Sequence, residues 1–182
     1  MCEEVLIDAA RAYGQRYAIL RYFNACGADP DGELWENHDP ETHLIPLAID
    51  AACGTAPTLE VFGADYPTKD GTCKRDYVHV ADLALAHVLA LRRLQSGPSL
   101  TLNVGTGRAH SVLEIVTAVE TVIGRPVPKS FAARRVGDPP VVMADPSAAE
   151  RLLGFKAMYP DLPTIVGTAW SAREAARKAD RR

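Results

Sequence analysis

The chain has 182 residues, of which 47% are hydrophobic and 24% charged, with a formal net charge of -3 at pH 7. This composition is typical of a globular domain that buries a sizeable core, and it argues against a disordered chain or a coiled coil. The chain lacks the basic excess of nucleic-acid binders and any apolar run of roughly 18 residues, so we expect no nucleic-acid and no membrane partner.

The predicted helices and strands alternate along the chain. In chain order, the elements of the first half are a helix over residues 2–13, a strand over 17–23, a loop over 24–40, a helix over 42–53, a strand over 58–62 and a loop over 63–74. The second half has a strand over 76–80, helix 81–95, strand 100–104, a capped helix over 111–124, a short helix from 145 to 154, and helix 162–178, after which a basic tail is expected to fray. This alternation predicts the α/β class.

The cysteines and the first residues of the chain indicate the cellular compartment. The four cysteines, at positions 2, 26, 53 and 73, form no Cys-x-x-Cys pair, and the first residues are acidic where a signal peptide is positively charged. We therefore expect reduced thiols in a cytoplasmic protein.

Three polar positions near the ends of predicted strands are candidates for ligand binding. Asn24 follows a strand, and open α/β sheets bind ligands outside the carboxyl ends of their strands. Arg75 begins the strand after a polar loop, and Arg135 precedes a turn that ends at Asp138; both guanidinium groups suit phosphate recognition. An ordinary turn or a local ion pair explains each position as well, so the residues alone suggest a phosphorylated ligand and no reaction.

Two further patterns give weaker signals. The segment Gly105–Gly107 has two glycines of a dinucleotide-binding fingerprint but not the third, so a structural turn is the better interpretation. His38 and His43 flank acidic residues, but without the i, i+4 spacing of one helix face, so we predict no metal site. His79 falls in a predicted strand, where a buried core histidine is expected.

Six motifs, in order over nearly the whole chain, are LRYFN at 20–24, PETHLIP at 40–46, LEVFGADYPT at 59–68, DGTCKRDYVHV at 70–80, NVGTG at 103–107 and RRVGD at 134–138. Together they resemble the UDP-glucose 4-epimerases, a family of extended short-chain dehydrogenases. The resemblance implies a Rossmann-type NAD-binding domain with a smaller substrate domain, and a homodimer. It also implies that UDP-galactose and UDP-glucose interconvert through a 4-keto sugar while bound NAD takes and returns a hydride.

The resemblance also implies roles for individual residues. Tyr22 and Phe23 would contact the nicotinamide end of NAD. The implied substrate-binding residues are Asn24, His43, Leu44, Glu60, Val61, Phe62, Arg75, Arg135, Asp138 and Val142. Among these, the two arginines would hold the diphosphate, Asp138 the ribose, and the segment 60–62 the uracil. Many family members have Asn in place of His43, and the small side chain of Val142 predicts tolerance of UDP-N-acetylglucosamine.

The family's catalytic Tyr-x-x-x-Lys pair and glycine-rich NAD loop do not occur in this sequence. The resemblance therefore predicts the C-terminal portion of an epimerase, without the N-terminal NAD-binding domain and inactive alone. Residues 1–24 and about 76–106 would be remnant Rossmann elements, and about 25–75 and 107–182 mainly the substrate-binding domain. Two alternatives stay open: another NAD-dependent nucleotide-sugar epimerase or dehydratase, and a UDP-sugar-binding module that does not catalyse.

Overall fold

A computed structural model describes residues 1–179, and within that part of the chain six helices alternate with eight short strands, as the α/β prediction required. The helices are α1 (Cys2–Tyr13), α2 (Leu44–Cys53), α3 (Val80–Ser96), α4 (Val112–Ile123), α5 (Ser147–Leu153) and α6 (Leu162–Ala179). The strands are β1 (Ala18–Tyr22), β2 (Asn24–Cys26), β3 (Leu59–Phe62), β4 (Lys74–His79), β5 (Leu100–Val104), β6 (Ala109–Ser111), β7 (Lys129–Ala132) and β8 (Val141–Val142). The basic tail expected to fray, residues 180–182, lies outside the described residues. None of the helices described combines the length and hydrophobicity of a bilayer-spanning segment.

The strands form three small groups, with β4 at the centre of the largest. β1 pairs with β5 and β3 pairs with β7, both in parallel. β4 pairs in parallel with β2 and β8 and antiparallel with β6. Mostly parallel pairing is typical of α/β folds, in which helices cover the faces of the sheet. β4 therefore connects more strands than any other strand described.

Two clusters of buried apolar side chains form the core. The first joins α2, α4, α6 and β3, and its fully buried residues include Ile49, Ile115 and Ile165. The second joins α3, α5 and β5 around Phe155 and Val104. α1 belongs to neither cluster, since none of its residues is buried. The sequence patterns that predicted these helices are thus the apolar faces that pack together.

Most predicted elements are confirmed within two residues, and the capping box of α4 is present, with Ser111 Oγ accepting from the Glu114 N–H at 3.1 Å. The prediction of one strand over 17–23 followed by a loop was wrong. At Phe23 the chain moves from the partner β5 to the partner β4, and Asn24 begins the new strand β2. β6, β7 and β8 were not predicted, because segments of two to four residues gain their extended form from pairing rather than from intrinsic propensity.

A fully buried carboxylate, Asp76, joins β4 to two distant turns. Its Oδ1 accepts hydrogen bonds from the N–H of Thr106 at 3.0 Å and from the hydroxyl at 2.7 Å. Its Oδ2 accepts from the N–H groups of Gly107 at 2.9 Å and Ala144 at 3.2 Å. A Cβ at Gly105 would lie 2.8 Å from Asp76 Oδ2, so only glycine admits this approach. The glycines of this segment thus serve a structural turn, as predicted.

His79 is the buried residue that caps α3. Its Nδ1 accepts a hydrogen bond from the Ala81 N–H at 3.1 Å, and its Nε2 lies 3.0 Å from the hydroxyl of Thr168. Because Nδ1 accepts, the proton of the neutral ring is on Nε2. Burial lowers the pKa of His79, and the nearby charge of Asp82 opposes this only in part. The prediction of a core histidine is confirmed.

We expect Asp76→Ala to destabilise the chain by about 3 kcal/mol, because it removes the acceptor of three backbone N–H groups, that of Ala144 buried and those of Thr106 and Gly107 half-buried, and the nearer acceptor of the Thr106 hydroxyl. Urea unfolding followed by circular dichroism measures the change. Asp8→Ala is the control, since the Asp8 side chain is exposed on α1 and its removal should change stability by less than about 0.5 kcal/mol. Equal effects of the two substitutions would contradict the structural role of Asp76.

The lowered pKa of His79 predicts a pH dependence of stability. Below the usual His pKa of 6.5 the unfolded chain binds a proton that the native chain does not, so the free energy of unfolding falls as the pH falls through this window. His79→Asn keeps an acceptor for the Ala81 N–H and does not titrate. Urea unfolding at pH 7.5 and 5.5 should show that the variant loses less stability on acidification than the native chain. An equal loss in both would exclude His79 as the source.

Candidate functional site

One cleft of about 540 Å³ brings together nine of the ten predicted substrate-binding residues. Its volume lies in the range of small-molecule sites. The nine are Asn24, His43, Leu44, Glu60, Val61, Phe62, Arg75, Arg135 and Asp138. We call it the β3 cleft, because β3 supplies one wall. It is also lined by residues to which no site role was assigned, among them Leu47, Cys73, Tyr77 and Val112.

Arg75 is held at the floor of the β3 cleft by main-chain oxygens. Its Nη1 donates to the carbonyl of Lys74 at 2.7 Å and to that of Pro139 at 2.9 Å, and its Nη2 pairs with a carboxylate oxygen of Asp138. The side chain is only 13% exposed. Successive side chains of a strand point to opposite faces, so Arg75 faces the cleft while the next residue, Asp76, faces the interior. The guanidinium is therefore oriented before any ligand binds.

The second arginine of the cleft lies on an aromatic ring. The Cζ of Arg135 is 4.0 Å from the centroid of the Phe62 ring, which is cation–π distance. Its neighbour Arg134 points elsewhere: its Nε is 2.7 Å from Asp65 Oδ1, and its Cζ lies over the Tyr66 ring. The hydrogen bond from Arg134 lowers the pKa of Asp65. Of two adjacent arginines, only Arg135 belongs to the cleft.

A second, larger cleft of about 830 Å³ adjoins the first. It contains both predicted cofactor residues, Tyr22 and Phe23, and it shares Asn24, His43, Leu44 and Tyr77 with the β3 cleft. We call it the β1 cleft, because it opens at the carboxyl end of β1, where α/β folds bind ligands. The rings of Tyr22, Phe23 and Trp35 lie in its wall, and the contact of Tyr22 and Phe23 with the nicotinamide end of NAD stays a prediction. The sequence offers no glycine-rich loop for the diphosphate of that cofactor.

Val142 is the one predicted site residue that lines neither of these clefts within the described part of the chain. It lies in β8, where its Cα is paired with that of Arg75 in the parallel register. It is therefore one strand removed from the arginine of the cleft. Its role in sugar selectivity stays a prediction.

The loop before α2 brings together two histidines and two glutamates. Glu36, His38, Glu41 and His43 have potential ligand atoms that all lie within 4.8 Å of one another. The prediction of no metal site rested on the absence of helical spacing. These residues lie on a loop, where the fold of the backbone, and not a fixed period, determines which side chains meet.

Sequence comparison identifies relatives that match most of the chain. The model of the NAD dependent epimerase/dehydratase family matches residues 1–105. The UDP-glucose 4-epimerase of Lacticaseibacillus casei is 46% identical over 173 residues, which are 94% of this chain and 52% of that protein. The chain spans about half the length of the curated relatives it matches. The resemblance to UDP-glucose 4-epimerases is confirmed.

Solved structures of UDP-glucose 4-epimerases are also similar to this chain. The crystal structure of UDP-glucose 4-epimerase from Brucella ovis in complex with NAD is 57% identical with a TM-score of 0.90, and the match covers 93% of this chain and 52% of that one. The structure of UDP-glucose-4-epimerase from Stenotrophomonas maltophila with NAD and formylated UDP-arabinopyranose is 45% identical with a TM-score of 0.92, covering 98% and 54%. The Rossmann-type fold is confirmed by these neighbours. Because the family match extends over more than half of its residues, this chain belongs to the NAD dependent epimerase/dehydratase family.

Proposed function

We propose that this chain supplies the UDP-sugar-binding part of a UDP-glucose 4-epimerase. The observation that carries the proposal is that nine residues from five separate sequence motifs line one cleft of suitable size. Two arginines, a phenylalanine ring and a carboxylate are the groups that a diphosphate, a pyrimidine and a ribose require. Relatives named UDP-glucose 4-epimerase support the choice of ligand.

The geometry of the β3 cleft supports one placement of UDP. Phe62 and the main chain of β3 frame the uracil, and Asp138 accepts from the ribose hydroxyls. Arg75 and Arg135 bind the diphosphate from two sides, since one lies on β4 and the other on the loop after β7. Binding moves Arg135 little, because its guanidinium already lies over the Phe62 ring.

The sugar would extend from the β3 cleft into the β1 cleft. Four residues line both clefts, so a ligand with its base at Phe62 passes them on the way: Asn24, His43, Leu44 and Tyr77. The β1 cleft would then bring the sugar ring against the nicotinamide end of NAD, beside Phe23. NAD supplies the hydride chemistry when bound. The residues of this chain bind and orient the sugar, and the amide of Asn24 offers both donors and an acceptor to its hydroxyls.

The division of the chain into domains is part of the proposal. Residues 1–24 and about 76–106 are assigned to the Rossmann part, which the parallel pairing of β1 with β5 supports. About 25–75 and 107–182 are assigned mainly to the substrate-binding part, which the pairing of β3 with β7 supports. The homodimer, the cytoplasmic location and the tolerance of UDP-N-acetylglucosamine stay predictions.

We expect the 182-residue chain to bind UDP with a stoichiometry of one in calorimetric titration, and Arg135→Gln to weaken binding about 10-fold to 100-fold, because a charged hydrogen bond to phosphate is lost. Arg134→Gln is the matched control, since this neighbouring arginine pairs with Asp65 outside the cleft, and it should change the UDP affinity less than about twofold. Equal losses in both variants would contradict the assignment.

Titrations with other nucleoside diphosphates separate the alternatives. The proposal predicts that UDP binds better than dTDP or GDP, since the relatives are named for UDP-sugars. Preference for one of the others would favour a related epimerase or dehydratase. No binding of any of them would contradict the proposed site.

We predict that the 182-residue chain with added NAD does not convert UDP-galactose to UDP-glucose, although it binds UDP. General acid–base catalysis requires a group within hydrogen-bond reach of the sugar hydroxyl, and the sequence has no Tyr-x-x-x-Lys pair to provide it. A coupled assay for UDP-glucose over several hours measures this. Turnover above the rate of a blank without protein would show that a residue of this chain performs the proton transfer.

A further inference from the structure

The loop between β2 and α2 carries the same short pattern twice. Glu-x-His occurs at 36–38 and again at 41–43, and the loop folds so that the two copies meet. His38 Nδ1 lies 2.8 Å from Glu36 Oε1, and His43 Nδ1 contacts the same carboxylate oxygen. The two imidazole rings lie 5.1 Å apart in an edge-to-face arrangement. Both histidines therefore present the same ring nitrogen to one point.

The geometry points to a binding site for one divalent metal cation of the class of Zn²⁺, Co²⁺ and Ni²⁺. Four side chains of this single loop would be its ligands: Glu36, His38, Glu41 and His43. Around a tetrahedral ion with bonds of about 2.0–2.1 Å, the ligand atoms are about 3.3 Å apart. Glu41 Oε1 lies 3.7 Å from His43 Nδ1 and 3.9 Å from His38 Nδ1. The distances between ligand atoms thus lie both below and above this tetrahedral distance, and small side-chain rotations would bring the atoms to it.

The fourth ligand is already fixed in place. The Glu41 side chain is 9% exposed, and its Oε1 accepts from the N–H groups of Thr42 at 2.8 Å and His43 at 3.0 Å. Its Oε2 is buried without a hydrogen-bond partner among the described residues. The nearest cation, the guanidinium of Arg173, is 3.8 Å away and is itself engaged by Asp50. The oxygen near the two histidines is Oε1, so a bound ion would take Oε1 as its ligand while Oε2 stays beside Arg173.

The donor set determines the kind of ion. Two imidazoles with two carboxylates suit zinc and its neighbours, whereas magnesium and calcium prefer oxygen ligands throughout. Both histidine side chains are 53% exposed at the mouth of the β1 cleft, so an ion has access from solvent. The hydrogen bonds to Glu41 from Thr42 and His43 orient its carboxylate, as outer contacts do in metal sites.

The test is a titration of the 182-residue chain with Co²⁺, followed by its visible absorption. The background is Cys2→Ser, because Cys2 is an exposed thiol that also binds metals. We expect one equivalent of Co²⁺ to give the absorption of a four-coordinate nitrogen and oxygen site, and one equivalent of Zn²⁺ to abolish it. His38→Gln should weaken Co²⁺ binding about tenfold or more. His110→Gln is the matched control, since His110 lies beside a single carboxylate, Glu114, and it should leave the affinity within about twofold.

Several outcomes would overturn the proposal. A cluster that only shares protons between glutamate and histidine takes up no stoichiometric Co²⁺, and metal bound elsewhere persists in the double variant His38→Gln/His43→Gln. Circular dichroism checks that the variants fold, and a rise in melting temperature on adding Zn²⁺ should occur in the native chain but not in His38→Gln. UDP binding to the His38→Gln chain is measured in parallel, because loss of the metal site and loss of the nucleotide site are then distinguishable.

Discussion

The alternation of side chains along β4 is the constraint on which the site depends. Arg75 and Asp76 are adjacent, and a strand must direct them to opposite sides. Asp76, fully buried, accepts hydrogen bonds from two turns that are distant in sequence. Those bonds fix the position of the strand, and therefore that of Arg75 on its other face. The same segment of backbone thus determines the positions of both the buried carboxylate of Asp76 and the guanidinium of Arg75.

The two arginines of the β3 cleft are positioned by different means. Arg75 is held by two carbonyl oxygens and by Asp138. Because its side chain is already ordered, it loses little conformational entropy when it binds a phosphate. Arg135 is on a loop, and its guanidinium lies over the Phe62 ring. This cation–π contact uses none of its N–H donors, which stay available for a phosphate. Arg75 is thus held by hydrogen bonds and Arg135 by an aromatic ring, and both line the same cleft.

The sequence predicted the helices better than the strands, for a physical reason. α4 has its capping box and apolar face within its own twelve residues, so local sequence determines it. β8 has two residues and exists because Lys74 and Arg75 pair with it, which no local pattern reveals. The same holds for Asn24, which was predicted to follow a strand and instead begins one, since its partner Tyr77 is more than fifty residues away.

The residues of the site also divide into those that the sequence predicted and those that only the folded chain brings together. The motifs predicted which residues line the β3 cleft because the family resemblance transfers a set of positions, and nine of those positions meet there. No motif predicted the meeting of His38 and His43 with two glutamates, because the test applied to them assumed a helix. A loop has no fixed period, so only the folded backbone reveals that their ring nitrogens converge.

The most direct measurement of the central claim is a crystal structure of the 182-residue chain soaked with UDP. The account predicts electron density for the pyrimidine against Phe62 and for the diphosphate between Arg75 and Arg135. Density for UDP on another face, with the cleft filled only by water, would contradict it.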